Sequence, residues 1–483
     1  LSDSEYKASS LPEVDLNTLK FVNSLPIENG QPERRKAEEI IRDYTNARMQ
    51  RSGEDFRVDY RLDRPEDLER VARIMAAEAE LALARDGNAI GWYDAKLSLA
   101  KKLFSIVEPE ITRDPRHEAA FDFALAVTSN GVAVLDNASY ALRAYRSWKD
   151  TGKFEVIGYN ERQAAMEKAF KFYNIMKDNL GDEVKIAKFL DEKVTIKELK
   201  NSKFLQEIDE KYDLDIAENL GSENVDTVVT KSIIFGPKIG NGFYQNIRGN
   251  YDTITMDMWW QRFFNRITGS PFRTSQDKTK INNYNRFVNA LRTPKRQLTA
   301  VDRDALRTAI QEVGKPAFRN QKNKLDQNII DLAKAFHEER NRRYIRISLE
   351  GARNLKGEER RAKVAENRAR AGIDRSSDLS RESANMINNF FGPILETPDS
   401  GGHRNYMRRA SKRAIEILEN TKVIEKGQLT TADFQALMWF HEKSLFKALG
   451  VREGRGGEHD YVDGAIDVLR KEGIDEVDIE EAL

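Results

Sequence analysis

The sequence predicts a mainly α-helical protein, and three observations support that fold class. After the breaker Asp63-Arg64-Pro65, apolar residues from Leu68 to Ala79 recur at helical spacing. Residues 119–145 are rich in alanine and other apolar residues, which favours buried helices, and residues 161–179 repeat the helical pattern. Two-residue alternation is nowhere sustained, so we expect at most a few short strands.

The length and composition are those of a multidomain globular protein. The chain has 483 residues, of which 40% are hydrophobic and 33% are charged, and this length favours two to four domains. No apolar run approaches the ~18 residues of a membrane-spanning helix, and the polar N-terminus predicts no signal peptide. We therefore expect an intracellular, cytoplasmic protein without a membrane partner. The first residue is Leu, which suggests a piece of a longer polypeptide.

Several kinds of chemistry are made improbable by the cysteine and histidine content. The chain contains no cysteine, which excludes disulfides, thiol nucleophiles and cysteine-bound metal centres. No two of its five histidines have helical metal-ligand spacing, and no HExxH motif occurs. We expect neither a metal site nor a cofactor.

The neutral total charge hides an uneven distribution. The chain has 79 Lys and Arg residues and 79 Asp and Glu residues. Residues 258–300 contain nine basic residues and one acid, Asp277, whereas residues 178–226 contain fourteen acids and seven lysines. The basic segment predicts phosphate contacts, and Lys278 and Lys280 are its candidate DNA-binding residues. The charged stretch from 322 to 370 is interpreted as solvated helices in preference to a binding arm.

The segment with the most functional information is residues 228–269. An apolar stretch ends in Phe235-Gly236-Pro237-Lys238-Ile239-Gly240, and a second helix-compatible stretch covers 243–247. A turn at 248–250 precedes a new element that starts near Asp257. A glycine-containing hairpin between short helices exposes backbone N–H groups that can bind a phosphate without reading sequence. Gly236 and Gly240 are expected to let the backbone approach DNA closely.

Residues 92–269 resemble the helix-hairpin-helix DNA glycosylase superfamily, which includes endonuclease III and the oxidised-guanine glycosylases. Lys238 follows Gly236-Pro237, and Asp257 lies 19 residues further on. The bifunctional members of that family have a catalytic lysine and aspartate at about this spacing. Arg262 and Asn265-Arg266 occupy positions where the family often has an arginine and an Asn-Arg pair, and Trp259 stands where a histidine is common.

The resemblance implies specific roles for these residues. Lys238 would be the nucleophile that forms a Schiff base with a flipped nucleotide, and Asp257 would stabilise the oxocarbenium charge. Arg262 and Arg266 would contact DNA, while Trp259 or Trp260 would form a wall of the base pocket.

Each of these residues also has a structural interpretation. Lys238 could instead be a phosphate contact or a surface charge. Asp257 could cap the helix that starts at Met258, and the aromatic residues Trp259 and Trp260 could pack in a core.

These observations together predict a central helix-hairpin-helix glycosylase-like domain with helical flanking regions. The expected divisions are an N-terminal helical region (1–90), the glycosylase-like domain (91–275) and a charged helical C-terminal region (276–483). The expected function is a DNA base-excision glycosylase with abasic-site lyase activity. The alternative is a non-catalytic DNA-binding protein or a phage virion structural protein. A segment at 430–450 is similar to stretches in large phage proteins, so phage or virion partners and packaging in a virion are also considered.

Overall fold

The protein is mainly α-helical, as the sequence predicts. The computed structural model describes residues 27–28, 31–32, 37, 40–41, 64–85, 90–155, 163–220, 223–268, 277–292, 298–316, 325–373, 377–390, 395–450 and 459–483. The α-helices are α1 (Pro65–Arg85), α2 (Leu97–Val107), α3 (Glu110–Arg113), α4 (Pro115–Thr128), α5 (Val134–Thr151), α6 (Gln163–Leu180), α7 (Glu183–Asp191), α8 (Ile196–Lys200), α9 (Lys203–Tyr212), α10 (Ile216–Asn219), α11 (Gln245–Ile247), α12 (Met258–Thr268), α13 (Asp277–Arg292), α14 (Ala300–Val313), α15 (Gln327–Ser348), α16 (Gly357–Arg370), α17 (Asp378–Phe390), α18 (Gly401–Asn420), α19 (Thr431–Ala448), α20 (Tyr461–Lys471) and α21 (Glu476–Ala482).

Short irregular helices and strands complete the fold. A π-helix, Trp92–Lys96, precedes α2, and a 3-10 helix, Lys231–Phe235, and a second π-helix, Ile239–Tyr244, precede α11. Strands β1 (Ile27–Glu28) and β2 (Gln31–Pro32) pair antiparallel, as do β3 (Lys193–Thr195) and β4 (Val228–Thr230). Because Val194 lies opposite Val229, this second pair fixes the chain just before the predicted hairpin.

The helix boundaries follow from local capping chemistry. Asp114 caps α4 by accepting from the Arg116 amide, with Pro115 in the first turn, and Thr195 caps α8 in a capping box with Glu198. Helix α5 ends at Gly152 in the left-handed conformation, where a glycine carries no steric cost.

Contacts group the chain into two compact units that are not contiguous in sequence. The first unit comprises residues 1–53, 59–271 and 395–483, and the second comprises residues 54–58 and 272–394. The sequence predicts contiguous divisions with boundaries at 90 and 275. The observed grouping instead joins the segment 395–483 with the central region.

The first unit contains two large apolar cores. One is built around α4, in which every residue from Ala119 to Thr128 is buried, and it includes Ile239, Phe243 and Tyr244 of the second π-helix. The other is formed by α1, α12, α18 and α19. Its α12 members are Trp260, Phe263, Phe264 and Ile267. The predicted hairpin therefore contributes to the first core, and the helix after Asp257 contributes to the second.

The second unit has its own core, formed by α13, α14, α15 and α17. Phe287, Ala305, Ala309, Leu332 and Phe336 are among its fully buried side chains. Lys278 and Lys280 lie in α13, and their side chains are outside the described parts of the structure. Within the described residues of both units, no helix is long and apolar enough to span a membrane.

Candidate functional site

The glycine hairpin connects a 3-10 helix to a helix with π and α turns. The turn occurs at Gly236, whose φ of 96° lies in the left-handed region that favours glycine. The Gly240 amide donates to the Gly236 carbonyl at 2.9 Å, and the Phe243 amide donates to the Lys238 carbonyl at 2.9 Å. Residues 231–247 thus form a short helix, a hairpin turn and a second short helix.

Gly240 has a packing role in place of the phosphate contact expected from the sequence. A Cβ atom at this position would lie 1.7 Å from the Ser232 carbonyl oxygen, so a side chain does not fit. The Gly240 carbonyl accepts from the Ser232 hydroxyl at 2.8 Å, and its amide is bonded to Gly236 as described. Both polar backbone groups are used inside the hairpin, and Gly240 itself is buried.

Lys238 is placed at the start of the second helix by the turn at Gly236. Its backbone is in the right-handed helical region, and its side chain is half-buried. The Phe243 amide donates to its carbonyl at 2.9 Å, so the second helix fixes the backbone of Lys238. The position is compatible with a nucleophile and equally with a phosphate contact.

Asp257 caps helix α12 and makes a second hydrogen bond to a distant residue. Its Oδ1 accepts from the Trp260 amide at 2.8 Å, which is the capping role considered from the sequence. Its Oδ2 accepts from the indole Nε1 of Trp439 at 2.7 Å. Both carboxylate oxygens are therefore held in fixed directions, and the residue remains half-buried.

The hairpin helix packs directly on the segment that leads to Asp257. A Cβ atom on Gly242 would lie 3.0 Å from the Ile254 carbonyl oxygen and 3.1 Å from the Thr255 Cα. Phe243 of the same helix stacks on Tyr461 with ring centroids 5.6 Å apart and meets Tyr93 edge-on at 6.5 Å. The helix that starts after Lys238 and the segment that ends at Asp257 thus belong to one packed substructure.

Two buried tyrosines lie within the electrostatic range of Asp257. Burial raises the pKa of Tyr93 well above its ordinary value, and the negative charge of Asp257 raises it further. Burial likewise raises the pKa of Tyr461, with Asp257 again contributing. Both phenols therefore stay protonated. The Tyr93 hydroxyl donates to Gln435 Oε1 at 2.7 Å, and the Tyr461 hydroxyl accepts from the Asn137 side-chain amide at 2.9 Å.

The two predicted base-pocket tryptophans differ in their surroundings. Trp260 is completely buried among Phe263 and Phe434, so it is a core residue and cannot stack on a base. Trp259 is half-buried, meets Phe446 edge-on at 5.8 Å, and has the Arg262 guanidinium 4.6 Å from its ring centre. Only Trp259 retains an accessible part that could contact a nucleotide.

The two arginines assigned to DNA contacts are engaged inside the protein. The side chain of Arg266 is 3% exposed and lies 2.7 Å from Glu78 Oε2 and 2.9 Å from Glu442 Oε2. Arg262 is buried between Trp259 and Glu396, with 3.4 Å between its NH2 and the Glu396 carboxylate. The structure gives both arginines structural roles in place of the predicted DNA contacts. The Arg266 guanidinium pairs with two buried carboxylates, and the Arg262 guanidinium lies over the Trp259 ring and pairs with Glu396.

Trp439 is the site residue that sequence analysis missed. It lies on α19, 182 residues after Asp257, and no local pattern connects the two. The Lys443 amine lies 3.9 Å from the centre of the Trp439 ring and 5.9 Å from that of Trp259. Asp257, Trp439, Lys443 and Trp259 therefore form a small acidic, aromatic and basic cluster at the start of α12.

The described residues show no arrangement of three His, Asp or Glu side chains that could hold a metal ion. Comparison of the chain with protein-family models, curated proteins and solved structures finds no match.

Proposed function

We propose that the chain is a DNA base-excision glycosylase with abasic-site lyase activity, with Lys238 as the nucleophile and Asp257 as the electrostatic partner. The observation that carries the proposal is the packing of the Lys238 helix on the 254–255 segment, seen in the close approach of Gly242 to Ile254 and Thr255. This packing connects the helix that follows Lys238 to the carboxylate that the resemblance pairs with it.

The proposed reaction uses the Lys238 amine, the Asp257 carboxylate and solvent water. The neutral Lys238 amine bonds to C1′ of a flipped nucleotide, the glycosidic bond breaks, and the base leaves with its electron pair and takes up a proton. Opening of the sugar ring gives an iminium ion at C1′. Water takes up a C2′ proton, and the 3′ phosphate leaves with the electron pair of the C3′–O bond. A second water then hydrolyses the imine and frees the lysine amine. Asp257 stabilises the positive charge that develops at the sugar.

The neighbours of Asp257 support this role by fixing its carboxylate. The Trp260 amide and the Trp439 indole direct one oxygen each, so the carboxylate needs no reorganisation when charge develops nearby. Trp439 is a positioning residue in this proposal. Trp259 is the remaining candidate for a base contact.

Borohydride trapping on a duplex with one abasic site tests the proposal. The wild-type protein is expected to form a covalent complex, because borohydride reduces the iminium ion to a stable amine. Lys238→Gln is expected to lose this complex while it still binds the duplex. Lys231→Gln is the matched control, because Lys231 begins the neighbouring 3-10 helix and pairs with Glu192. Binding of the wild-type protein without trapping would overturn the proposal.

A second candidate is a non-catalytic DNA-binding protein or a phage virion structural protein that keeps the hairpin. The observation that favours it is the internal use of residues expected to touch DNA: Gly240, Trp260 and Arg266 are all buried. An intracellular location, virion packaging and virion partners belong to the same proposal. Salt-dependent DNA binding without trapping favours the DNA-binding form, and absence of both favours a structural protein.

A further inference from the structure

We propose that the second unit carries a separate surface for the phosphate backbone of duplex DNA, centred on Arg346 and Arg353. The proposal does not depend on chemistry at Lys238. Its first support is charge: residues 272–394 contain 27 Lys and Arg residues and 15 Asp and Glu residues, although the whole chain is neutral. A unit with this excess attracts polyanions over a range set by ionic strength.

A cleft concentrates part of this charge. The turn after α15 encloses an open cleft of about 560 Å³, lined by residues that include Arg346, Glu350, Gly351, Arg353 and Asn354. Gly351 has a φ of 66°, a left-handed conformation that bends the chain between α15 and α16. The cleft lining therefore includes two arginines and one asparagine, from the last turn of α15 and the turn that follows it.

The turn is held in shape by residues of α16. The buried Asn367 amide donates to the Glu350 carbonyl at 2.7 Å and to the Ser348 carbonyl at 3.3 Å. The Arg370 guanidinium lies 2.7 Å from the Glu350 carboxylate. The one acidic side chain in the cleft lining is thus already paired with a cation, so it opposes an incoming anion only weakly.

Most neighbouring arginines of the second unit are paired, but the two cleft arginines are not. Arg340 binds Asp302 at 2.8 Å, and Arg342 and Arg343 both bind Glu339. Arg346 and Arg353 are exposed and make no ion pair within the described parts of the chain. Their guanidinium groups are available to an external anion.

The chemistry of the cleft favours a phosphate diester. Guanidinium groups bind phosphate oxygens in a bidentate manner, and backbone phosphates are the groups that proteins contact without reading sequence. A phosphate that projects from a rod-shaped duplex can enter a concave site, whereas the flat surface of an anionic membrane meets protruding side chains first. Duplex DNA is therefore the partner that the cleft fits.

Salt-dependent binding of the full chain to an undamaged duplex tests the proposal. Counterion release predicts a log–log slope of about 0.9 per neutralised phosphate, so R346E/R353E is expected to lower the slope by about 1.8. The affinity at low salt is expected to fall at least tenfold. The matched control is R307E/R381E, which makes the same charge change at exposed residues of the same unit that are paired with Asp304 and Asp378. Helicity by circular dichroism checks that both variants fold.

The outcomes separate this surface from the proposed catalytic site. An equal loss of DNA affinity in R346E/R353E and R307E/R381E would attribute the effect to the net charge of the unit and overturn the proposal. A wild-type salt slope in R346E/R353E would also overturn it. Binding of anionic vesicles but not of DNA would assign the cleft to membranes and also overturn it. R346E/R353E is expected to trap normally at saturating abasic duplex, because it leaves residues 231–257 unchanged. Failure of trapping would therefore overturn the catalytic proposal without affecting this one. An unchanged salt slope would overturn this proposal without affecting the catalytic one.

Discussion

At the scale of single residues, the two hairpin glycines have different reasons to be glycine. Gly236 has a positive φ and no atom within 4 Å of the point that a Cβ would occupy, whereas Gly240 would place its Cβ against the Ser232 carbonyl. Gly236→Ala is expected to cost about 1–2 kcal/mol from backbone strain alone. Gly240→Ala is expected to cost about 3 kcal/mol or more, because the hairpin must separate. Urea unfolding measures the free energy of unfolding of both variants. A larger loss of stability for Gly236→Ala than for Gly240→Ala would contradict the prediction.

The indole of Trp439 gives a test of carboxylate positioning. Trp439→Phe removes the donor to Asp257 Oδ2 and is expected to cost about 1–3 kcal/mol of stability and to slow imine trapping, with DNA affinity unchanged. Trp148→Phe is the matched control, since the buried Trp148 indole donates to Glu183 at 3.0 Å far from the hairpin in sequence. The control is expected to lose stability and keep its trapping rate. Equal slowing in both variants would show that Trp439 acts only through stability.

The role of a residue could be predicted from the sequence where its partners are local, and could not where its partners are distant in the sequence. The cap at Asp257 and the turn at Gly236 depend on atoms within a few residues. The family resemblance predicts a DNA contact for Arg266, but its carboxylate partners, Glu78 and Glu442, lie 188 and 176 residues away, so no local pattern predicts the ion pairs. Trp439 is likewise 182 residues from Asp257, so no local pattern predicts the hydrogen bond between them.

At the scale of elements, one buried charge network joins helix α12 to α1 and α19. Arg266 bonds Glu78 of α1 and Glu442 of α19, and His441 Nε2 lies 3.0 Å from Glu78 Oε2. Removing the cation leaves two buried carboxylates, so Arg266→Met is expected to cost about 3–5 kcal/mol in denaturant unfolding. Arg470→Met, which removes an exposed pair with Glu476, is the control and is expected to change stability little. Similar losses in both would contradict the central role of Arg266.

The same network predicts a pH dependence of stability. Burial raises the pKa of Glu78, but Arg266 and His441 together outweigh burial and hold the pKa well below the ordinary value of 4.5. The stability that ionised Glu78 contributes is therefore present above about pH 4.5 and is lost as the pH falls toward the folded-state pKa. Glu78→Gln is expected to be less stable at pH 7 and to lose stability less steeply than the wild type below pH 4.5. If the stability of the wild type and of Glu78→Gln fell equally steeply below pH 4.5, the role given to ionised Glu78 would be contradicted.

At the scale of the whole molecule, the fold class followed from the sequence but the grouping of segments did not. Helical periodicity is local, so a mainly α protein could be predicted from the spacing of apolar residues. The joining of residues 395–483 to the first unit depends on packing of α18 and α19 against α1 and α12. No pattern in the sequence marks such a return of the chain.

The separate core of the second unit predicts independent folding. A fragment covering residues 272–394 contains the core formed by α13, α14, α15 and α17. It is expected to be helical by circular dichroism and to unfold cooperatively, because those helices bury their apolar faces against one another. A fragment of residues 163–268 is a useful control, since it lacks α1, α18 and α19 from the core to which α12 contributes. A disordered 272–394 fragment would contradict the prediction.

The central claim is that the Lys238 amine forms a covalent bond to deoxyribose, and peptide mapping of the borohydride-reduced complex tests it most directly. The wild-type protein is reduced with a duplex that carries one abasic site, the DNA is digested, and the modified peptide is located by mass spectrometry. We predict a reduced sugar remnant on Lys238. A remnant on a different amine, or no remnant on a protein that binds the duplex, would contradict the account.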